Sequence, residues 1–106
     1  FYIHARNIAS AVFFLIKNGK IGEKYNISGE KEISNLQMAK FIAKILDKNL
    51  IYEMVDSHTL RPGHDLRYGL DGTKLFKLGW KLPLNFEESL KKTILWTLEN
   101  KKWLLK

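Results

Sequence analysis

Cysteine is absent from this chain of 106 residues, which excludes a disulfide framework and any thiolate metal site. The absence fits a reducing cytoplasm, and that is the expected compartment. Long apolar runs are absent too. Stretches such as 11–16 are far too short to cross a bilayer, so no membrane partner is expected. No basic-then-apolar segment opens the chain. No G-x-G-x-x-G turn occurs, so the usual cradle for a dinucleotide pyrophosphate is missing. No tyrosine has a lysine four residues on. Tyr2, Tyr25, Tyr52 and Tyr68 are followed there by Arg6, Gly29, Asp56 and Gly72. With no cysteine and no serine in a recognisable elbow, nucleophilic catalysis within the chain is not expected. His58 and His64 match no common zinc spacing. The expectation is therefore no catalytic residue, no metal and no cofactor held by these residues themselves.

The length suits one domain, residues 1–106, with a modest core. Hydrophobic residues make up 45%, too many for disorder. The net charge of +7 raises the prospect of an anionic partner. The lysines are scattered over helices rather than clustered, and no nucleic-acid motif accompanies them, so nucleic acid is not the expected partner. Phe1-Tyr2-Ile3 reads as the end of a buried strand, and we expect a larger protein around it.

Apolar residues at Ile8, Ala11, Val12, Leu15 and Ile16 form a helical stripe over Asn7 to Lys17. Gly19 is suited to a left-handed cap there. Lys24 to Ser28 and Leu50 to Val55 read as short strands. Arg67 to Leu70 reads as a brief extended segment. Ser34 with Gln37 forms a capping box for a second helix whose buried face is Leu36, Ala39, Ile42, Ala43 and Leu46. Asp71 can cap a short helix from Thr73 to Leu78, closed by Gly79. Asn85 with Glu88 starts the last helix, with Phe86, Leu90, Ile94 and Leu98 on its inner face. The expected class is α/β, mostly helical with a few short strands.

Chemistry concentrates in Arg61-Pro62-Gly63-His64-Asp65-Leu66-Arg67-Tyr68. Arginine offers a planar fork of donors matching phosphate oxygens. Pro62 stiffens the turn, Gly63 lets backbone approach a ligand, and His64 can donate to a phosphate or sugar oxygen. The plainer reading is a surface loop in which Arg61 pairs with Asp65. Asn35 sits at the first turn of the second helix, where unpaired backbone donors favour polar or anionic ligand edges. Its amide can read a base edge, or Asn35 is simply a helix-start residue.

In order along the chain, several stretches resemble the C-terminal part of the extended short-chain dehydrogenase/reductase family, the NAD-dependent epimerases and dehydratases. They are Tyr2-Ile3-His4-Ala5-Arg6-Asn7-Ile8-Ala9-Ser10-Ala11, Gly22-Glu23-Lys24-Tyr25-Asn26-Ile27-Ser28-Gly29, the Arg61 to Tyr68 loop, Leu78-Gly79-Trp80, and Phe86 through Trp96. Arg-Pro-Gly-His-Asp followed by Arg-Tyr is the most specific and points to the branch of 4,6-dehydratases acting on dTDP-glucose. Many members carry an aspartate shortly after the first strand, where this chain has Arg6-Asn7.

The resemblance implies a C-terminal substrate-binding lobe of a Rossmann-type lyase. It also implies that a nucleotide-diphosphate sugar is gripped by Arg61, Pro62, Gly63 and His64 at the diphosphate and by Asn35 at the nucleotide. NAD, the catalytic tyrosine and lysine, and the acidic residue of dehydration would belong to an N-terminal lobe with no counterpart here. The parent would oxidise the hexose at C4, eliminate water across C5–C6 and return hydride to C6, as a homodimer. The chain alone would be inactive and would expose an apolar face where that lobe docks. A 4-epimerase or decarboxylase on the same scaffold remains an alternative reading.

Overall fold

The structure, a computed structural model, describes residues 1–56, 59, 62–63, 65 and 67–104. Four described helices carry it: α1 (Ala5–Asn18), α2 (Asn35–Ile45), α3 (Thr73–Leu78) and α4 (Phe86–Glu99), followed by a 3-10 turn, Lys101–Trp103. Each start has a local cause. His4 caps α1, its Nδ1 accepting from the Arg6 N–H at 3.0 Å. Ser34 and Gln37 cap α2 reciprocally, as do Asn85 and Glu88 for α4. For α3 the capping residue is Gly72 rather than Asp71, yet the Asp71 carboxylate still accepts from the Thr73 N–H at 2.9 Å. Hydrogen bonding from the Thr73 side chain and backbone holds the Asp71 carboxyl below its usual range. Gly79 ends α3 with φ 114°, a conformation L side chains rarely adopt.

The expected strands are a correction. Segments 1–3, 24–28 and 50–55 run without helical structure, but among the described residues none is paired into a ladder. A strand is defined by the neighbour that takes its N–H and C=O groups, and local residue preference supplies no neighbour. Ile51 and Met54, expected in a strand, are largely exposed. Gly19 is a second correction. Its φ of −69° is extended rather than left-handed, and its N–H donates to the Leu15 carbonyl at 2.8 Å.

The core is small. Ala11, Leu75 and Trp80 are buried together, with Ile3, Phe14, Leu15, Tyr25, Ile27 and Leu82 packed on them. Trp80 stacks on Phe76 with ring centroids 5.5 Å apart, and its indole N–H donates to Ser10 Oγ at 3.2 Å. Lys74 ties α3 to segment 23–28 through the Glu23 carboxylate and the Lys24 carbonyl. A second contact joins α2 to α4, where Phe41 meets Phe86 edge to face at 5.6 Å. The α1 stripe divides: Ala11 and Leu15 face inward, whereas Ile8, Val12 and Ile16 are exposed. On α4, Phe86 and Ile94 are buried, Leu90 is half-buried and Leu98 is exposed. The accessible surface is 8808 Å², against roughly 6,100 Å² for an ordinary compact monomer of this size. Much apolar surface therefore lies uncovered. Among the described residues no helix is long and apolar enough to cross a membrane.

Candidate functional site

The capping box sets Asn35 as the first residue of α2, exposed, with Ser34 as its cap. The Gln37 N–H donates to Ser34 Oγ at 3.2 Å, and the Ser34 N–H donates to Gln37 Oε1 at 2.9 Å. Those bonds take two of the donors at this end. The N–H groups of Asn35 and Leu36 are left pointing away from the helix, as in any first turn. The Asn35 side chain is not isolated: the Tyr2 hydroxyl donates to its Oδ1.

Two carboxylates lie in the short segment before α2, and both are engaged elsewhere. Glu30 accepts from the Phe86 N–H at 2.7 Å, at the start of α4. Glu32 meets Arg67 fork to fork, Nε to Oε1 at 2.5 Å and Nη2 to Oε2 at 2.8 Å. Hydrogen bonding to that guanidinium, helped by its charge, holds the Glu32 carboxyl below the usual range against an opposing effect of burial. The sequence offers two arginines of the Arg61 to Tyr68 stretch to phosphate. The structure commits Arg67 to Glu32 instead, and so fastens the end of that stretch to the approach to α2.

Pro62 and Gly63 form an exposed turn, with φ 78° at Gly63. Arg61 and His64, and with them the alternative pairing of Arg61 with Asp65, lie outside the described residues, as does His58. Among the described residues no cluster of histidine and acidic side chains could hold a metal. A cleft of about 190 Å³ opens between the N-terminal segment and α4, lined among others by Tyr2, His4, Glu30, Met38, Phe86 and Ser89. The Ser89 hydroxyl, buried on its wall, has no hydrogen-bond partner among the described residues.

Sequence reasoning missed Tyr2 and Glu32 as neighbours of Asn35 and Arg67. Their partners lie 33 and 35 residues away, beyond any spacing rule. It also left Asn7 without a role. The structure buries Asn7 to 2% exposure. Its amide donates to the Leu84 carbonyl at 2.9 Å and accepts from the Leu84 N–H at 3.2 Å. One side chain thus takes both the N–H and the C=O of Leu84, and an amide carries the donor and the acceptor this needs.

No protein-family model matches the chain. Among curated proteins it is 37% identical over 112 residues to a probable dTDP-glucose 4,6-dehydratase of Sinorhizobium fredii, covering 96% of the chain and 31% of that protein. It is also 37% identical over 109 residues to dTDP-glucose 4,6-dehydratase 1 of Escherichia coli, covering 97% of the chain and 30% of the relative. The chain thus spans just under a third of the length of these relatives. In structure it matches a dTDP-glucose 4,6-dehydratase from Bacillus anthracis, solved in complex with NAD, with TM-score 0.80 and 30% identity over 95% of the chain and 32% of the other. In sequence and in fold, the chain corresponds to the C-terminal part of the dTDP-glucose 4,6-dehydratases, which are extended short-chain dehydrogenase/reductase enzymes.

Proposed function

We propose that residues 1–106 form the unit that grips the nucleotide sugar in an NAD-dependent 4,6-dehydratase, one that converts dTDP-glucose to its 4-keto-6-deoxy product. The observation that carries the reading is the match to dehydratases along nearly the whole chain. Arg61 meets the diphosphate with a guanidinium fork, and His64 adds one ordinary hydrogen bond. Pro62 and Gly63 shape the turn between them, and Asn35 reaches the nucleotide. Binding energy gathered on this remote part of the substrate holds the sugar in place for chemistry done by other residues.

NAD does not fit these residues. The described helices are capped by His4, Ser34, Gly72 and Asn85, and none follows a paired strand and a glycine-rich turn. The cofactor and the catalytic groups therefore sit on a separate N-terminal lobe in this reading, and no chemical step is assigned to this chain. The excess accessible surface and the outward Ile8, Val12 and Ile16 support a docking lobe. Homodimeric assembly and a cytoplasmic location complete the reading. The dimer rests on the resemblance and the location on the lack of cysteine.

The experiment is titration of the complete polypeptide and its Arg61→Ala variant with dTDP, beside urea melts. A charge-assisted hydrogen bond is worth about 1.5–3 kcal/mol, roughly ten- to a hundredfold in affinity. Affinity should fall by that factor with little change in the melt, and lysine should restore only part of it. Unchanged affinity would show the loop to be structural.

A further inference from the structure

Asn35 could present either end of its amide to a ligand. A primary amide turns by a half rotation between offering an oxygen acceptor and offering two N–H donors. In the structure the Tyr2 hydroxyl donates to Asn35 Oδ1, which sets which way round the amide stands. The carboxylates nearby are also occupied, Glu30 by the Phe86 N–H and Glu32 by Arg67. The start of α2 thus offers the Asn35 NH₂ beside the outward backbone N–H groups of the first turn.

We propose that Tyr2 is a positioning residue for Asn35: its hydroxyl fixes the amide so that the Asn35 NH₂ is the end turned to the nucleotide. The inference rests on Asn35 touching the nucleotide, as in the reading above. The matching ligand edge consists of acceptors, such as phosphate, ribose or base carbonyl oxygens. Tyr2 is itself held in register. The chain at Gly29 runs so close that an added Cβ would lie 2.1 Å from the Tyr2 carbonyl oxygen. That approach admits glycine alone and joins the N-terminal segment to the approach to α2. Tyr2 remains 40% exposed, so removing its hydroxyl leaves no cavity.

The test is a double-mutant cycle in the complete polypeptide, read by titration with dTDP. Tyr2→Phe should weaken dTDP binding about three- to tenfold, the range for one ordinary hydrogen bond lost. Asn35→Ala should weaken it at least as much. In the Asn35→Ala background, Tyr2→Phe should then have no further effect, because Tyr2 acts through Asn35. The urea midpoint of Tyr2→Phe should hardly move, whereas a merely structural tyrosine would shift the midpoint and leave the binding coupling at zero. If Asn35→Ala weakens binding and Tyr2→Phe does not, or if the two losses simply add, the positioning role is overturned and the reading of Asn35 stands. If Asn35→Ala binds like the parent, Asn35 is no ligand contact and both fall together, while the Arg61 titration still decides the loop.

Discussion

Replacing Asn7 by aspartate changes one atom's chemistry at a buried site, and its cost can be worked from two hydrogen bonds. The amide now donates to the Leu84 carbonyl at 2.9 Å and accepts from the Leu84 N–H at 3.2 Å, at 2% exposure. An ionised carboxylate keeps the second bond and loses the first, and sets an oxygen against an oxygen. A buried carbonyl left unpaired costs about 1–3 kcal/mol. The same loss, with desolvation and that oxygen contact, pushes the new carboxyl's pKa up, and a rise from about 4 to about 6 corresponds to about 2.7 kcal/mol against the charged form. One effect opposes: a negative charge in the first turn of α1, which has no acidic residue, gains about 0.3–1 kcal/mol from the helix dipole. Desolvation wins, and Asn7→Asp should lose roughly 2–4 kcal/mol at pH 7. Because the folded pKa lies above the unfolded one, the penalty is absent below the unfolded value, near pH ~4, and grows as pH rises toward the folded one. Protonated, the carboxyl donates to the Leu84 carbonyl and both bonds return. Urea melts of variant and parent at about pH 4 and pH 7, on either side of the expected titration, are the assay. A variant as stable as the parent at neutral pH, or one whose deficit widens toward acid, would refute the reasoning.

Leu75 is 1% exposed at the centre of the core, so Leu75→Ala should cost about 2–5 kcal/mol by lost burial and a cavity; a shift of the urea midpoint below that range would mean the site collapses freely. Gly79→Ala, at φ 114°, should cost about 1–2 kcal/mol by backbone strain, measured the same way. Glu32 sits below its ordinary range, so the stability it adds is full above the usual glutamate range and is lost as pH falls through the lowered value. Glu32→Gln should therefore flatten the acid limb of a stability-against-pH curve, and an unchanged limb would count against the Arg67 pair.

What was legible in the sequence was local. Ser34 with Gln37 and Asn85 with Glu88 form the reciprocal caps their spacing suggests, and the Thr73–Leu78 helix ends at the left-handed Gly79. These features need only neighbours three or four residues away. The strands failed because a ladder is a property of two segments, and the alternation in 50–55 could not supply the second. The α1 stripe suggests one buried face, yet only Ala11 and Leu15 of it face inward, because periodicity marks an apolar side without saying what covers it. At the site, the helix-start position of Asn35 was readable, while Arg61 and His64 lie outside the described residues. The Tyr2 contact and the commitment of Arg67 to Glu32 were not, since both join residues more than thirty positions apart.

The contacts of Asn7 bear on how the chain is made. Leu84 follows Asn7 by 77 residues, and Trp80 follows Ser10 by 70. A ribosome adding about 5–20 residues per second takes about 4–15 s to cover the longer interval. Through that time the α1 segment lacks the partner of its buried amide and the indole packed with Ala11. Residues 80–86 thus act on the segments before them like a clasp delivered late. The Phe86 N–H reaches Glu30 across 56 residues, so the same short stretch closes both α1 and the approach to α2. Synthesis that pauses before Trp80 holds the nascent chain with its core still open.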